Sequence, residues 1–129
     1  MRTLKKIALV DDDKLFVFLT KKNIEKTEKA EDVKVFENGL KALNFFKENK
    51  NKKDVLPDVI FLDLSMPVLD GWQFLEEYTK ISDEIAKQIT IYVCSSSISH
   101  DDIIRAKAIS EVSDYIIKPL STERMLDLL

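Results

Sequence analysis

Short apolar-rich runs recur along the chain at residues 7–10 (IALV), 33–36 (VKVF), 59–62 (VIFL), 90–94 (TIYVC) and 114–117 (DYII). Runs of this length bounded by turn residues predict strands, and the continuous ones suit central parallel strands buried on both faces. Helical spacing fills the intervals. Residues 14–29 predict a helix with Phe16, Leu19, Asn23 and Ile24 on one face, and with Leu15, Val17 and Phe18 as an apolar surplus beyond one core stripe. That surplus either packs beneath neighbouring loops or faces a partner. Asn38-Gly39 turns the chain into a helix over 40–48 with Leu40, Leu43 and Phe46 inward, and residues 72–81 predict another that uses Phe74, Leu75, Tyr78 and Ile81. Ser99 with Asp102 resembles a capping box opening a helix through Ile109, and Ser121 or Thr122 caps a last helix, TERMLDLL.

The stretch KENKNKKDVLP lacks apolar periodicity and reads as a solvated connection, its lysines keeping a loop soluble. Strand and helix thus alternate through the whole chain, which predicts an α/β fold: a parallel sheet covered on both faces by right-handed crossovers. Ligands of such sheets sit outside the carboxyl ends of the strands. Asp11, Asp12 and Asp13, Asp63, Ser95 and Lys118 each follow a predicted strand directly, so residues distant in sequence are expected to meet at one edge. Carboxylates held about 4 Å apart repel by roughly 4 kcal/mol per pair at an effective dielectric near 20, and need a cation or a proton. Hard oxygen donors without a cysteine pair or histidine suit Mg²⁺ better than zinc. His100, the lone histidine, falls in a capping region and is expected at the surface.

Composition narrows the classes. A chain of 129 residues is expected to form one domain, residues 1–129, and its 45% hydrophobic and 33% charged content suits a soluble protein. No apolar run approaches the roughly 20 residues of a membrane span, and Met1-Arg2-Thr3-Leu4-Lys5-Lys6 leads into a strand rather than a signal-peptide core, so the expected location is the cytoplasm. A net charge of −3 with dispersed basic residues argues against direct nucleic-acid binding. Cys94, the lone cysteine, is expected as a buried core thiol.

Four motifs together, LVDDD, FLDLSMPVLDG, VCSSS and YIIKP, give the chain a resemblance to the receiver domain of two-component response regulators, over essentially its whole length and in the family's order. The resemblance implies a flavodoxin-like (βα)5 sandwich with strand order 2-1-3-4-5, stand-alone unless residues or a domain follow Leu129. It implies that Asp63 accepts a phosphoryl group from a phosphohistidine on a sensor histidine kinase or histidine phosphotransfer protein. Mg²⁺ would be held by Asp12, Asp63, the Ser65 backbone carbonyl and, through water, Asp11. The run of three aspartates leaves that register open by one, and Asp11 with Asp12 is chosen because both follow the strand immediately. Lys118 and Ser95 would bind the phosphoryl oxygens, Ser95 standing where threonine is commoner. Ser65 and Ser97 would tune hydrolysis, Lys118-Pro119 would be a cis peptide, and Ser95 with Tyr115 would form the switch. The expected output is through a downstream protein at the face of the fourth helix, fifth strand and fifth helix, while Leu15 and Phe18 are expected to meet the phosphodonor.

Three other readings use parts of the same pattern. Asp11-Asp12-Asp13 satisfies the Asp-x-Asp of a haloacid-dehalogenase-like phosphatase with Asp11 as nucleophile, but leaves FLDLSMPVLDG unused. A flavodoxin-like cofactor binder lacks its glycine-rich loop, since Gly39 and Gly71 are the only glycines. A docking module without chemistry would have no use for Asp11, Asp12, Asp63, Ser95 and Lys118 together. The phosphoacceptor, not a turnover enzyme, is the expected function.

Overall fold

All four residues of Val59–Leu62 are buried, and this strand, β3, forms the middle of the sheet. The computed structural model describes residues 4–129; Met1, Arg2 and Thr3 of the expected leader into the first strand lie outside the described residues. Around β3 run the parallel strands β1 (Lys5–Val10), β2 (Ala30–Phe36), β4 (Thr90–Ser95) and β5 (Val112–Ile117), in the order β2-β1-β3-β4-β5. Helices α1 (Lys14–Lys26), α2 (Gly39–Asn49), α3 (Gly71–Ile81), α4 (His100–Lys107) and α5 (Thr122–Leu128) alternate with them.

The continuous apolar runs conceal a period of two, because successive strand side chains leave on opposite faces. Ala8, Val10, Ile60 and Leu62 enter one core with Phe46, Phe74 and Tyr78 of α2 and α3. Ile7, Leu9, Val59 and Phe61 enter the other with Ile24 of α1 and Met125 of α5. Phe46, Phe61 and Phe74 are almost wholly buried, and each such side chain contributes about 1.5–3 kcal/mol relative to exposure.

Helix starts follow local chemistry. Asp13, Asn38, Asp70, Ser99 and Ser121 each accept an amide hydrogen bond from their own helix's first turn. Asp70 and Gln73 complete a reciprocal capping box. Ser99 makes only half of the expected one: it accepts from the Asp102 amide, while the Asp102 carboxylate turns to the Ser97 hydroxyl at 2.8 Å.

Two helix faces differ from the periodic expectation. Leu19 is 50% exposed and Thr20 is buried in its place; Leu40 is 41% exposed while Ala42 and Leu43 turn inward. The first helix ends at Lys26, where Thr27 caps it and Glu28 takes a positive φ of 57°, β2 begins earlier than expected, and the solvated connection includes a buried Leu56. A short 3-10 turn at Ser82–Glu84 was not foreseen.

Candidate functional site

Three backbone hydrogen bonds draw the strand ends together. The Asp11 amide donates to the Phe36 carbonyl at 3.0 Å, the Asp63 amide to the Val10 carbonyl at 2.9 Å, and the Lys118 amide to the Ser95 carbonyl at 2.9 Å. The ladder therefore continues one residue beyond each strand, and the side chains of Asp11, Asp63 and Lys118 emerge at one edge. Oxygens of Asp11, Asp12 and Asp63 all lie within 4.8 Å of one another. Asp13 stays out of this group, because its carboxylate accepts the Leu15 and Phe16 amides, both at 3.1 Å, as the cap of α1. Geometry thus divides the three aspartates into two at the edge and one on the helix.

The Lys118 ammonium lies 2.8 Å from Asp11 Oδ2 and 3.5 Å from Asp63 Oδ1. It also lies over the Phe16 ring, 4.2 Å from its centroid. The peptide between Lys118 and Pro119 is cis. Burial, and then the charge of Asp11, push the Asp63 carboxyl up from an ordinary 3.8 to about 6, against the opposing pull of Lys118 and of the Ser65 backbone. Burial works against the Lys118 charge, but the hydrogen bond and charge of Asp11, followed by the charge of Asp63, hold its pKa above the ordinary value. Behind them Cys94 is 1% exposed, and burial pushes its thiol up to about 12, so it is a core thiol at neutral pH.

Two glycines hold the loop that follows Asp63. The Gly71 amide donates to the Leu64 carbonyl at 3.0 Å and the Gly39 amide to the Leu69 carbonyl at 2.9 Å, fastening the loop to α3 and α2. A Cβ on Gly71 would meet the Leu64 Cα at 2.7 Å and the Asp63 carbonyl oxygen closer still. Close backbone approach, rather than an unusual torsion, is what this glycine permits.

Across a cleft of about 380 Å³ from Ser65 lie the hydroxyls of β4's end. Ser95 is buried and its hydroxyl oxygen accepts the Ser97 amide at 3.1 Å. Ser97 donates its own hydroxyl to Asp102, and its carbonyl accepts the Tyr115 phenol at 2.8 Å. Ser65 is exposed, Ser97 half-buried and Tyr115 buried. Leu15 and Phe18, 68% and 56% exposed, stand on α1 beside this edge, and Lys22 lies 4.9 Å from the Phe18 ring centroid. His100 is exposed, as expected.

Sequence reasoning missed the Phe16 contact with Lys118, the Asp102 tie to Ser97, and the Arg105 guanidinium stacked 4.0 Å from the Trp72 ring centroid. The two ring contacts join residues of distant parts of the chain, which no spacing reports, while the tie from Ser97 to Asp102 is local, five residues long, and hidden by the expected pairing of Asp102 with Ser99. Gly71 opens α3 one residue before the expected helix start at residue 72, and its place eight residues after Asp63 was the available signal for the close approach.

The sequence profile of the response regulator receiver domain matches residues 7–129. This chain belongs to that family. The receiver is 33% identical over 121 residues to the chemotaxis protein CheY of Listeria monocytogenes, covering 94% of this chain and 92% of the relative. It superimposes on a two component response regulator from Cytophaga hutchinsonii with a TM-score of 0.87 at 26% identity, covering 98% of this chain and 95% of that one. The phosphorylated cyanobacterial phytochrome response regulator RcpA gives a TM-score of 0.78 at 29% identity, covering 98% and 89%. The receiver is accordingly a phosphoacceptor of two-component signalling, from a family that binds Mg²⁺ at an acidic pocket and works with histidine kinases and downstream effectors. The phosphatase, cofactor-binding and docking-only alternatives are not favoured. Among the described residues no helix is long and apolar enough to cross a membrane.

Proposed function

We propose that Asp63 is the phosphoacceptor and that the receiver takes its phosphoryl group from a phosphohistidine on a sensor histidine kinase or histidine phosphotransfer protein in the cytoplasm. An Asp63 oxygen attacks phosphorus, the phosphorus–nitrogen bond breaks, and the donor imidazole leaves with its proton supplied by solvent. The observation that carries this reading is the position of Asp63 at the exit of the central strand, 3.5 Å from Lys118 and grouped with Asp11 and Asp12. The receiver acts as a signalling acceptor, assisting only its own phosphorylation and dephosphorylation.

Converging carboxylates with no histidine or cysteine in the group suit a hard cation, so Mg²⁺ would be held by Asp12, Asp63, the Ser65 carbonyl and, through water, Asp11. When bound, Mg²⁺ neutralises charge on the transferring group. Lys118 and the Ser95 hydroxyl serve the phosphoryl oxygens, a division suited to a reaction that needs alignment and neutralisation more than covalent help. Ser65 and Ser97, on the two sides of the cleft, govern water's approach to the acyl phosphate.

The same ties supply the switch. Drawing the Ser95 hydroxyl toward the phosphoryl group removes the acceptor of the Ser97 amide, and Ser97 carries the carbonyl that holds Tyr115. The surface of α4, β5 and α5 then changes for a downstream protein, provided phosphate prefers one of two existing states.

Treatment with acetyl phosphate and Mg²⁺, followed by mapping of the labelled residue, should place the label on Asp63, with amide resonances of Ser97 and Tyr115 shifting in step. Label on Asp11 would overturn the assignment. A second expectation concerns Leu15 and Phe18, whose exposure beside the site fits the phosphodonor face. Replacing both with Ala should lower phosphotransfer from the cognate protein donor roughly tenfold more than labelling by acetyl phosphate, on the scale of lost interface anchors. Equal effects on the two donors would remove these residues from the interface.

A further inference from the structure

We infer that Phe16 is a positioning residue for Lys118, acting through the face of its ring. The inference rests on the reading that Lys118 serves the phosphoryl group, and it starts from the ammonium lying 4.2 Å from the Phe16 ring centroid. Phe16 is itself anchored: it is half-buried on α1 and packs against the core that contains Ile24, Cys94 and Leu120. The cap formed by Asp13 fixes the first turn from which the ring projects, because Asp13 accepts the Phe16 amide directly. Lys118 therefore has two kinds of neighbour, the carboxylates of Asp11 and Asp63 and the ring of Phe16.

These neighbours differ in what competes for them. Asp11 and Asp63 belong to the acidic group that would hold Mg²⁺, so a divalent cation and the ammonium contend for the same oxygens. The ring quadrupole attracts the ammonium but offers no ligand to Mg²⁺. Phe16 thus retains Lys118 at the mouth of the site when the carboxylates turn to the metal. It also covers one side of the ammonium, which is only 15% exposed at the side chain, and so limits the positions from which Lys118 must be gathered when phosphate arrives. Leucine at this position would preserve the apolar packing on α1 and lose the attraction, whereas tyrosine would preserve both.

The test compares Phe16→Leu and Phe16→Tyr with the parent protein. Labelling by acetyl phosphate at saturating Mg²⁺ should fall about three- to tenfold in Phe16→Leu and stay near the parent rate in Phe16→Tyr, the range given by a partly desolvated cation–ring contact. Mg²⁺ affinity, measured by calorimetric titration, should stay within about twofold in both, because the metal's carboxylates are not Phe16's contacts. The Lys118 ε-methylene protons should resonate upfield from the ring current in the parent with Mg²⁺ present, and should return downfield in Phe16→Leu. Equal labelling of parent and Phe16→Leu, parallel loss of Mg²⁺ affinity and labelling, or unshifted ε-methylene protons would each overturn the role. The resonance and affinity measurements do not depend on where the label goes, so failure of Asp63 as acceptor is separately visible.

Discussion

Asp63→Asn should abolish labelling by acetyl phosphate and, in the absence of Mg²⁺, make the protein more stable at pH 7. The first effect follows from removing the nucleophilic oxygen, with the second acting through linkage. The Asp63 carboxyl is raised from 3.8 to about 6 in the folded protein, first by burial and then by the charge of Asp11. Below about pH 4 the group is protonated in both folded and unfolded chains and carries no penalty. Between about pH 4 and 6 the folded state binds a proton that the unfolded state has lost, so this group's contribution worsens as pH rises. Above about pH 6 both states are ionised and the full penalty is present. A displacement of about two units corresponds to about 3 kcal/mol at most, and water at the open edge of the site reduces this to about 1–2 kcal/mol.

Asparagine keeps the shape and removes the charge. Urea unfolding with chelator should therefore show Asp63→Asn more stable by about 1–2 kcal/mol at pH 7, with the gap narrowing toward pH 4. A variant less stable than the parent at pH 7, or a gap independent of pH, would count against a buried, repelled charge at Asp63. Adding Mg²⁺ should stabilise the parent more than the variant, since only the parent offers the metal its full set of carboxylates.

Gly71→Ala should destabilise the protein by about 2–4 kcal/mol, although helix propensity alone favours alanine by up to about 1 kcal/mol. Gly71 is the first residue of α3 and is buried. Its added Cβ would lie 2.7 Å from the Leu64 Cα and closer to the Asp63 carbonyl oxygen, and both obstacles are backbone. No rotamer change relieves such a clash. Either α3 retreats from the end of β3 or the strand end moves, and the second movement displaces the acceptor. Denaturant midpoints should show the loss of stability, and labelling under native conditions should slow as well. An exposed position further along the same helix, Thr79→Ala, should stay within about 0.5 kcal/mol of the parent. A neutral Gly71→Ala would mean that the loop relaxes without loss, and that the close approach is dispensable.

The strands were readable because a strand buried on both faces must be apolar throughout, as Val59–Leu62 is. The polar residues that end these runs were readable for the same reason: a buried ladder cannot tolerate Asp11, Asp63 or Lys118 in its interior without partners. Helix orientation was less legible. Periodicity tells which residues share a face, and a helix with Leu15, Phe16, Val17, Phe18 and Leu19 offers several apolar faces. The sheet selected the face containing Thr20 and Ile24 and left Leu15, Phe18 and Leu19 outside. On α2, Leu40 was likewise excluded once Ala42, Leu43 and Phe46 met the core.

By itself the sequence determined the alternation of strand and helix, the caps at Ser99 and Ser121, and the set of chemical groups delivered to the strand ends, because each depends on local propensity or on the demand that buried strands be apolar. Tertiary structure alone decided that Asp11 and Asp12 join Asp63 while Asp13 caps α1, that Gly71 presses on the backbone of Asp63, and that Phe16 meets Lys118. Those are relations between elements separated along the chain, set by sheet order and helix docking, and a distance of a few ångströms across them has no counterpart in sequence spacing.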